Sequence, residues 1–312
     1  MDVLSDLLHR ARAGNAAVRR LIQRPPWSMT YADPPPLTVI TALGGPVAVT
    51  AGDRAPGALT AGDIAIVTGT DPHTVADSPG TPPRYVVRGG RKYPAGSDRP
   101  VPERPTLAPR TYGDGDPAAT TMLRGAYDIR GGAGARLLAM LPPLAIVPAG
   151  ARTQPVLELL AAEAAHDEPG QDAVLARLLD LVLVIALRAW CAGPDASPPG
   201  WYTALADPAV GTALALLHAE PARRWTVAEL AAAARLSRAA FAARFTRQVG
   251  EPPLAYLTGW RLTLAADRLR ATDDPVAAVA RDVGYGDAFA FSVAFKRAHG
   301  TTPSAWRRVA ES

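Results

Sequence analysis

Arginine dominates the last third of this chain. From Pro208 onward there are 14 Lys and Arg against 9 Asp and Glu, and 13 of the 14 are Arg. The remainder is close to neutral, so the formal net charge of +4 originates in this segment. A guanidinium donates two parallel hydrogen bonds, a geometry that matches phosphate oxygens and the acceptor edge of guanine. A solvated basic face is what the charge alone would equally allow. Other chemistries have fewer residues to stand on. Cys191 is the one cysteine, which excludes an intrachain disulfide or a thiolate metal cage, and the usage fits a reducing compartment.

Spacing sharpens the reading of the basic segment. Val227, Ala228, Leu230 and Ala231 recur 49 positions later as Val276, Ala277, Val279 and Ala280. Phe241 and Phe245 recur 50 positions later as Phe291 and Phe295. Each copy reads as short helix, tight turn, longer helix, the arrangement that places its second helix in the DNA major groove. Local signals bound these helices. Asp207-Pro208 is an N-cap with proline at the first helical position, and Thr226 with Glu229 is a capping box. Ser237 and Asp287 cap the two longer helices, which end at Gly250 and Gly300. Leu254, Leu257, Trp260, Leu264 and Leu269 describe the helix that joins the copies. A separation of about 34 Å would bring both second helices onto one face of B-DNA.

The elements upstream differ in texture. To about Leu144 the chain is rich in Pro and Gly, with β-branched runs at 38–41, 47–50, 63–67 and 85–87, a pattern of short strands in a sandwich or barrel. The tract 78–116 is expected to include a long loop. Two helices follow, one with Leu157, Leu160, Ala161 and Ala164 on its face, the other running through Leu175, Leu178, Leu179, Val182, Leu183, Ala186 and Trp190. The second is apolar nearly all round, so it needs a second neighbour, for which another copy of itself is suited. Residues 194–200 read as a linker. The start lacks the basic and apolar regions of a secretory signal, and Arg177, Asp180 and Arg188 interrupt the most apolar stretch, so no membrane association and a cytoplasmic location are expected.

The segment from Trp225 to Arg308 resembles the DNA-binding domain of the AraC/XylS regulators. The resemblance rests on 225–231, on Phe241 to Gly250 with 252–257, on Arg261-Leu262, on Pro275-Val276-Ala277, on Val283-Gly284-Tyr285, and on Phe291 through Pro303 with Trp306-Arg307. It implies DNA contacts from Ser237, Arg238, Ala239, Ala242, Ala243, Arg244 and Arg247 in the first copy, with Arg238, Ala239, Ala242, Ala243 and Arg244 facing bases. In the second copy it implies them from Ala288, Phe289, Ser292, Val293, Lys296 and Arg297. Where family members often carry Arg, this chain has Ala243 and Val293; Arg244 could replace the first contact, but nothing polar replaces Val293, so the second unit either reads thymine methyl groups through apolar contact or mainly positions the protein. Arg247, Arg281, Arg297, Arg307 and Arg308 suit phosphates, which set affinity and salt dependence.

Upstream, Gly62-Asp63, Thr68, Asp71-Pro72-His73-Thr74 and Asp77 resemble a cupin motif. With 123–127 and 141–144, they resemble the cupin sensor of one AraC branch. The resemblance implies a multidomain α+β chain: a cupin-like β-barrel sensing an effector at 1–150, a helical dimerisation segment and linker at 151–200, and an all-α double helix-turn-helix domain at 207–309. His73 and Thr38 are the candidate effector contacts. Thr38 stands where a metal-binding cupin would carry His, so neither a metal nor another cofactor is expected. Cys191 lies outside the cupin part, which disfavours thiol sensing. The expected protein is not an enzyme but a transcription regulator, an activator, with double-stranded DNA, RNA polymerase, a small-molecule effector and a second copy of itself as partners. Two alternatives stand beside it: a cupin metalloenzyme fused to a helical interaction domain, and an architectural DNA-bending protein.

Overall fold

The computed structural model describes residues 2–11, 17–52, 55–102, 107, 110–113, 119–129, 131–166 and 168–310. Helix α1 (Val3–Arg10) leads into strands β1 (Ala17–Gln23), β2 (Ser28–Tyr31), β3 (Leu37–Gly44), β4 (Val47–Ala51), β5 (Gly57–Leu59) and β6 (Ile64–Thr68). Strands β7 (His73–Ala76), β8 (Tyr85–Arg88), β9 (Arg91–Pro94), β10 (Thr111–Gly113) and β11 (Thr120–Tyr127) precede α2 (Gly131–Leu138) and β12 (Leu144–Val147). The rest is helical: α3 (Gln154–Glu163), α4 (Gln171–Cys191), α5 (Gly200–Ala204), α6 (Pro208–Ala219), α7 (Val227–Ala233) and α8 (Arg238–Val249), then α9 (Pro253–Ala271), α10 (Val276–Asp282), α11 (Ala288–His299) and α12 (Pro303–Ala310).

Packing divides the chain into two units. One holds 13–129 and 141–197; the other holds 198–312 together with 1–12 and 130–140. These units run differently from the boundaries read in the sequence. The start of the chain and the helix after β11 pack with the C-terminal helices, although their sequence neighbours are strands.

The first unit is two six-stranded sheets, ordered β10-β1-β11-β3-β6-β12 and β5-β4-β7-β2-β8-β9. The expected cupin-like unit is present as two facing sheets: among the described residues each ladder ends in its own edge strands rather than joining the other. Leu21, Met29, Ile40, Val49, Val75 and Met122 alternate inward along their strands and form the core. The tract 78–116, expected as a long loop, contains the β8–β9 hairpin and β10; residues 103–106, 108–109 and 114–116 lie outside the described set. Helix α4 packs on β11 where a Cβ at Gly125 would stand 2.1 Å from Leu179, so a side chain there would lift the helix off the sheet. Val174 and Leu181 remain exposed along α4.

In the second unit the caps read from the sequence are present. Thr226 accepts from the Glu229 N–H at 3.2 Å while the Glu229 carboxylate accepts from the Thr226 N–H at 2.8 Å. Ser237 caps α8 and Asp287 caps α11. Phe241, Phe245, Phe291, Phe295 and Trp260 are fully buried. Among the described residues no helix is long and apolar enough to cross a membrane.

Candidate nucleic-acid interface

The repeat holds down to the backbone. The turn after α7 places Arg235 at φ 56°, and the turn after α10 places Gly284 at φ 90°. Both close with the same bond at 2.9 Å, from the Leu236 N–H to the Ala231 carbonyl and from the Tyr285 N–H to the Ala280 carbonyl. At Gly284 a Cβ would lie 2.5 Å from the Ala222 carbonyl oxygen, so the second copy needs glycine where the first accepts Arg235. The turn and the buried Phe pair orient the outer faces of α8 and α11 equivalently.

Those outer faces carry different chemistry. On α8, Ser237, Arg238, Ala239, Ala243 and Arg247 are exposed and Ala242 is half-buried. On α11, Phe289, Val293, Lys296 and Arg297 are exposed, while Ala288 and Ser292 are half-buried. Positions 50 apart give Ala239 against Phe289, Ala243 against Val293 and Arg247 against Arg297. Each triplet recurs every four residues and so lines one side of its helix. Phe289 is 77% exposed and Val293 55%, which settles that neither is a core residue. Ser292 turns its hydroxyl back to the Ala288 carbonyl at 2.8 Å.

Arg244 does not stand with this face. Its Nε donates to Asp207 Oδ2 at 2.8 Å, and Gln248 Nε2 donates to the same oxygen at 2.7 Å. Asp207 also caps α6 by accepting from the N–H groups of Ala209 and Val210. Burial pushes the Asp207 carboxyl up, but the hydrogen bonds from Gln248, Val210, Arg244 and Ala209 outweigh it and hold the pKa at about 2. The counterpart of Arg244 50 positions on, Ala294, packs against the core of the second copy. The Asp207 cap was legible in the sequence; its second partner, 37 residues away, was not.

The remaining basic residues separate in the same way. Arg307 donates to the carbonyls of Leu269, Asp273 and Asp274 and so closes the end of α9. Arg268 pairs with Asp274 and Asp282. Arg238, Arg247, Arg281, Lys296 and Arg297 are exposed without an acidic partner among the described residues.

Helices α1 and α2 dock against α6 and α9 through buried polar contacts that sequence reading missed. Asp6 and His218 are both buried, and His218 Nδ1 lies 2.8 Å from Asp6 Oδ2. Its Nε2 lies 2.8 Å from the Tyr256 hydroxyl, and its ring stacks on Trp260 at 4.4 Å. Burial lowers the His218 pKa more than the Asp6 hydrogen bond raises it, so the ring is neutral, donating to Asp6 and accepting from Tyr256. The N–H groups of Gly132 and Ala133, at the start of α2, donate to the Asp267 carboxylate, and Arg136 lies 5.1 Å over the Tyr256 ring.

In the β unit, His73 and Thr38 are both fully buried. His73 stacks on Tyr31 at 5.1 Å, and burial followed by the nearby Arg124 charge pushes its pKa down to about 3. Thr38 Oγ1 lies 3.4 Å from Arg124 Nη2. Among the described residues no group of three or more His, Cys, Asp or Glu is placed to hold a metal.

A family profile described as Cupin matches residues 2–192, and one described as Helix-turn-helix domain matches 230–309. An AraC-like transcription regulator of Streptomyces antibioticus is 44% identical over 176 residues, 55% of this chain and 58% of that one. The HTH-type transcriptional regulator AlkR of Acinetobacter baylyi is 38% identical over 152 residues, 49% of each. The chain thus spans about half the length of the curated relatives it matches. The DNA-binding domain of AdpA, solved in complex with a target DNA, is 31% identical, covering 33% of this chain and 93% of that one with a TM-score of 0.32. The chain belongs to the cupin family whose profile spans residues 2–192, joined to a C-terminal helix-turn-helix domain of the AraC/XylS type.

Proposed function

We propose that this chain is a sequence-specific DNA-binding transcription regulator working on the chromosome in the cytoplasm. The observation that carries the reading is the outer face of α11. Phe289 and Val293 stand exposed beside Lys296 and Arg297, at the repeat positions of Ala239, Ala243 and Arg247 on α8. An exposed Phe beside unpaired cations suits a groove that offers thymine methyls between rows of phosphates. Arg238 is the base reader of the first copy, Arg247, Arg281 and Arg297 grip phosphates, and Arg244 holds α8 to the cap of α6. The exposed face of α4, with Val174 and Leu181 flanked by Arg177 and Arg188, serves a homodimer that presents four units to paired sites. The two-sheet unit takes a small-molecule effector, and RNA polymerase is the partner through which bound protein acts as an activator.

Binding to the DNA upstream of its own gene, followed by fluorescence anisotropy over a range of salt, tests this. Specific binding should be at least 10³-fold tighter than to a scrambled duplex, on the order seen for such proteins. Equal affinity for both duplexes contradicts it. Sedimentation of Leu181→Glu against the unaltered chain tests the dimer: the variant should sediment as a monomer while keeping its fold.

A further inference from the structure

One end of the space between the two sheets is polar, and its groups lack partners. Arg124 on β11 is 7% exposed, with its guanidinium 4.0 Å over the ring of Tyr31. Among the described residues its Nε has no hydrogen-bond partner, and its Nη2 has only the long contact to Thr38. Neither ring nitrogen of His73, the direct partner of Tyr31 in the β2–β7 register, has one among the described residues. No carboxylate among the described residues pairs with Arg124; burial disfavours its charge, Tyr31 opposes that, and Arg19 adds to it. The β1–β11 register sets Arg19 directly opposite Arg124, so both arginines project from the same face. Like charges in directly opposed positions destabilise a strand pair, and a buried guanidinium without a counter-charge is costlier still. A cation–π contact with Tyr31 offsets only part of that. Arg19 itself reaches the surface, where it bonds the Tyr112 hydroxyl. A line of positive charge therefore runs from the exterior at Arg19 to the interior at Arg124.

We infer that this end of the two-sheet unit binds a small carboxylate, held by Arg124 with Thr38 and His73 supplying the neighbouring hydrogen bonds. A carboxylate presents two acceptor oxygens to the planar edge of a guanidinium and supplies the counter-charge that the strand pair lacks. Neutral His73 offers one donor and one acceptor to whatever polar group the acid carries beside its carboxylate. The inference rests on reading this unit as the effector sensor.

Thermal unfolding of the full chain, with acetate, butyrate and octanoate against their amides and against inorganic phosphate, tests it. At least one carboxylate should raise Tm and keep raising it with the logarithm of concentration, while its amide leaves Tm unchanged. Arg124→Met should abolish that shift and should be no less stable than the parent without ligand, because an apolar chain of similar length removes an unpaired charge. Arg124→Lys should restore part of the shift. No shift with any carboxylate, a shift equal for acid and amide, a shift with phosphate alone, or an unchanged shift in Arg124→Met overturns the site. Operator affinity is measured beside Tm: a carboxylate that binds without altering it leaves the site standing and contradicts the sensor reading.

Discussion

Helices α8 and α11 are the same device with different tips. Both start from a side-chain cap, follow a turn closed by the same 2.9 Å bond, and bury two Phe four residues apart. Beyond the scaffold they diverge: the outer triplet is Ala239, Ala243 and Arg247 in one and Phe289, Val293 and Arg297 in the other. The buried positions of the repeat are held by packing, which tolerates little change in volume. The outward positions are free to differ, and they are where the two copies acquire different chemistry. Arg is kept at the third position of both, where a phosphate contact would serve any sequence.

The largest expected effect tests the shared scaffold. Phe241→Ala and Phe291→Ala should each cost about 3–5 kcal/mol in denaturant unfolding. Values that differ by more than that spread would break the equivalence of the two copies. The next tests the divergence. Phe289→Ala should weaken specific binding by roughly 1–3 kcal/mol, the scale of a good base contact, whereas Ala239→Ser should change it by less than about 0.5 kcal/mol. Equal effects would mean that α11 does not use its apolar face.

A finer comparison lies within α8. Arg247→Ala should lower the slope of log affinity against log salt by about 1 and leave stability unchanged. Arg244→Ala should leave that slope unchanged and cost about 1 kcal/mol of stability, since it strips one donor from Asp207. The opposite outcome would return Arg244 to the DNA face.

The smallest effect is in pH. Asp207 has a folded pKa of about 2 against an ordinary value of 3.8, so its contribution is present above pH 4 and is lost as pH falls toward 2. His218 shifts down as well: the folded chain refuses a proton that the unfolded chain accepts, so stability falls as pH drops below about 6.5. Unfolding followed between pH 7 and 5 should show that fall in the parent and a smaller one in His218→Gln, where the likewise depressed His73 and His299 still contribute.

What could be read in advance was local. The caps at Thr226, Ser237 and Asp287, the repeated Phe pairs and the short strands are set by residues within one or two turns of each other, and the structure contains them. The missed features are all long-range. Arg244 meets Asp207 across 37 residues, and Asp6 meets His218 across 212. Arg19 and Arg124 become neighbours only through strand register. For Phe289 helical spacing places the residue on an outer face, but exposure distinguishes a reading residue from a core residue, and only the packed fold supplies it.

The central claim is that α11 reads DNA through apolar contact while α8 reads through Arg238. Replacing thymine by uracil, one position at a time, along the bound upstream sequence removes single methyl groups and nothing else. Confined to one half of the site, some replacements should weaken the parent chain, and the same replacements should leave Phe289→Ala unaffected. Methyl removal that weakens neither protein, or both equally, would contradict the account.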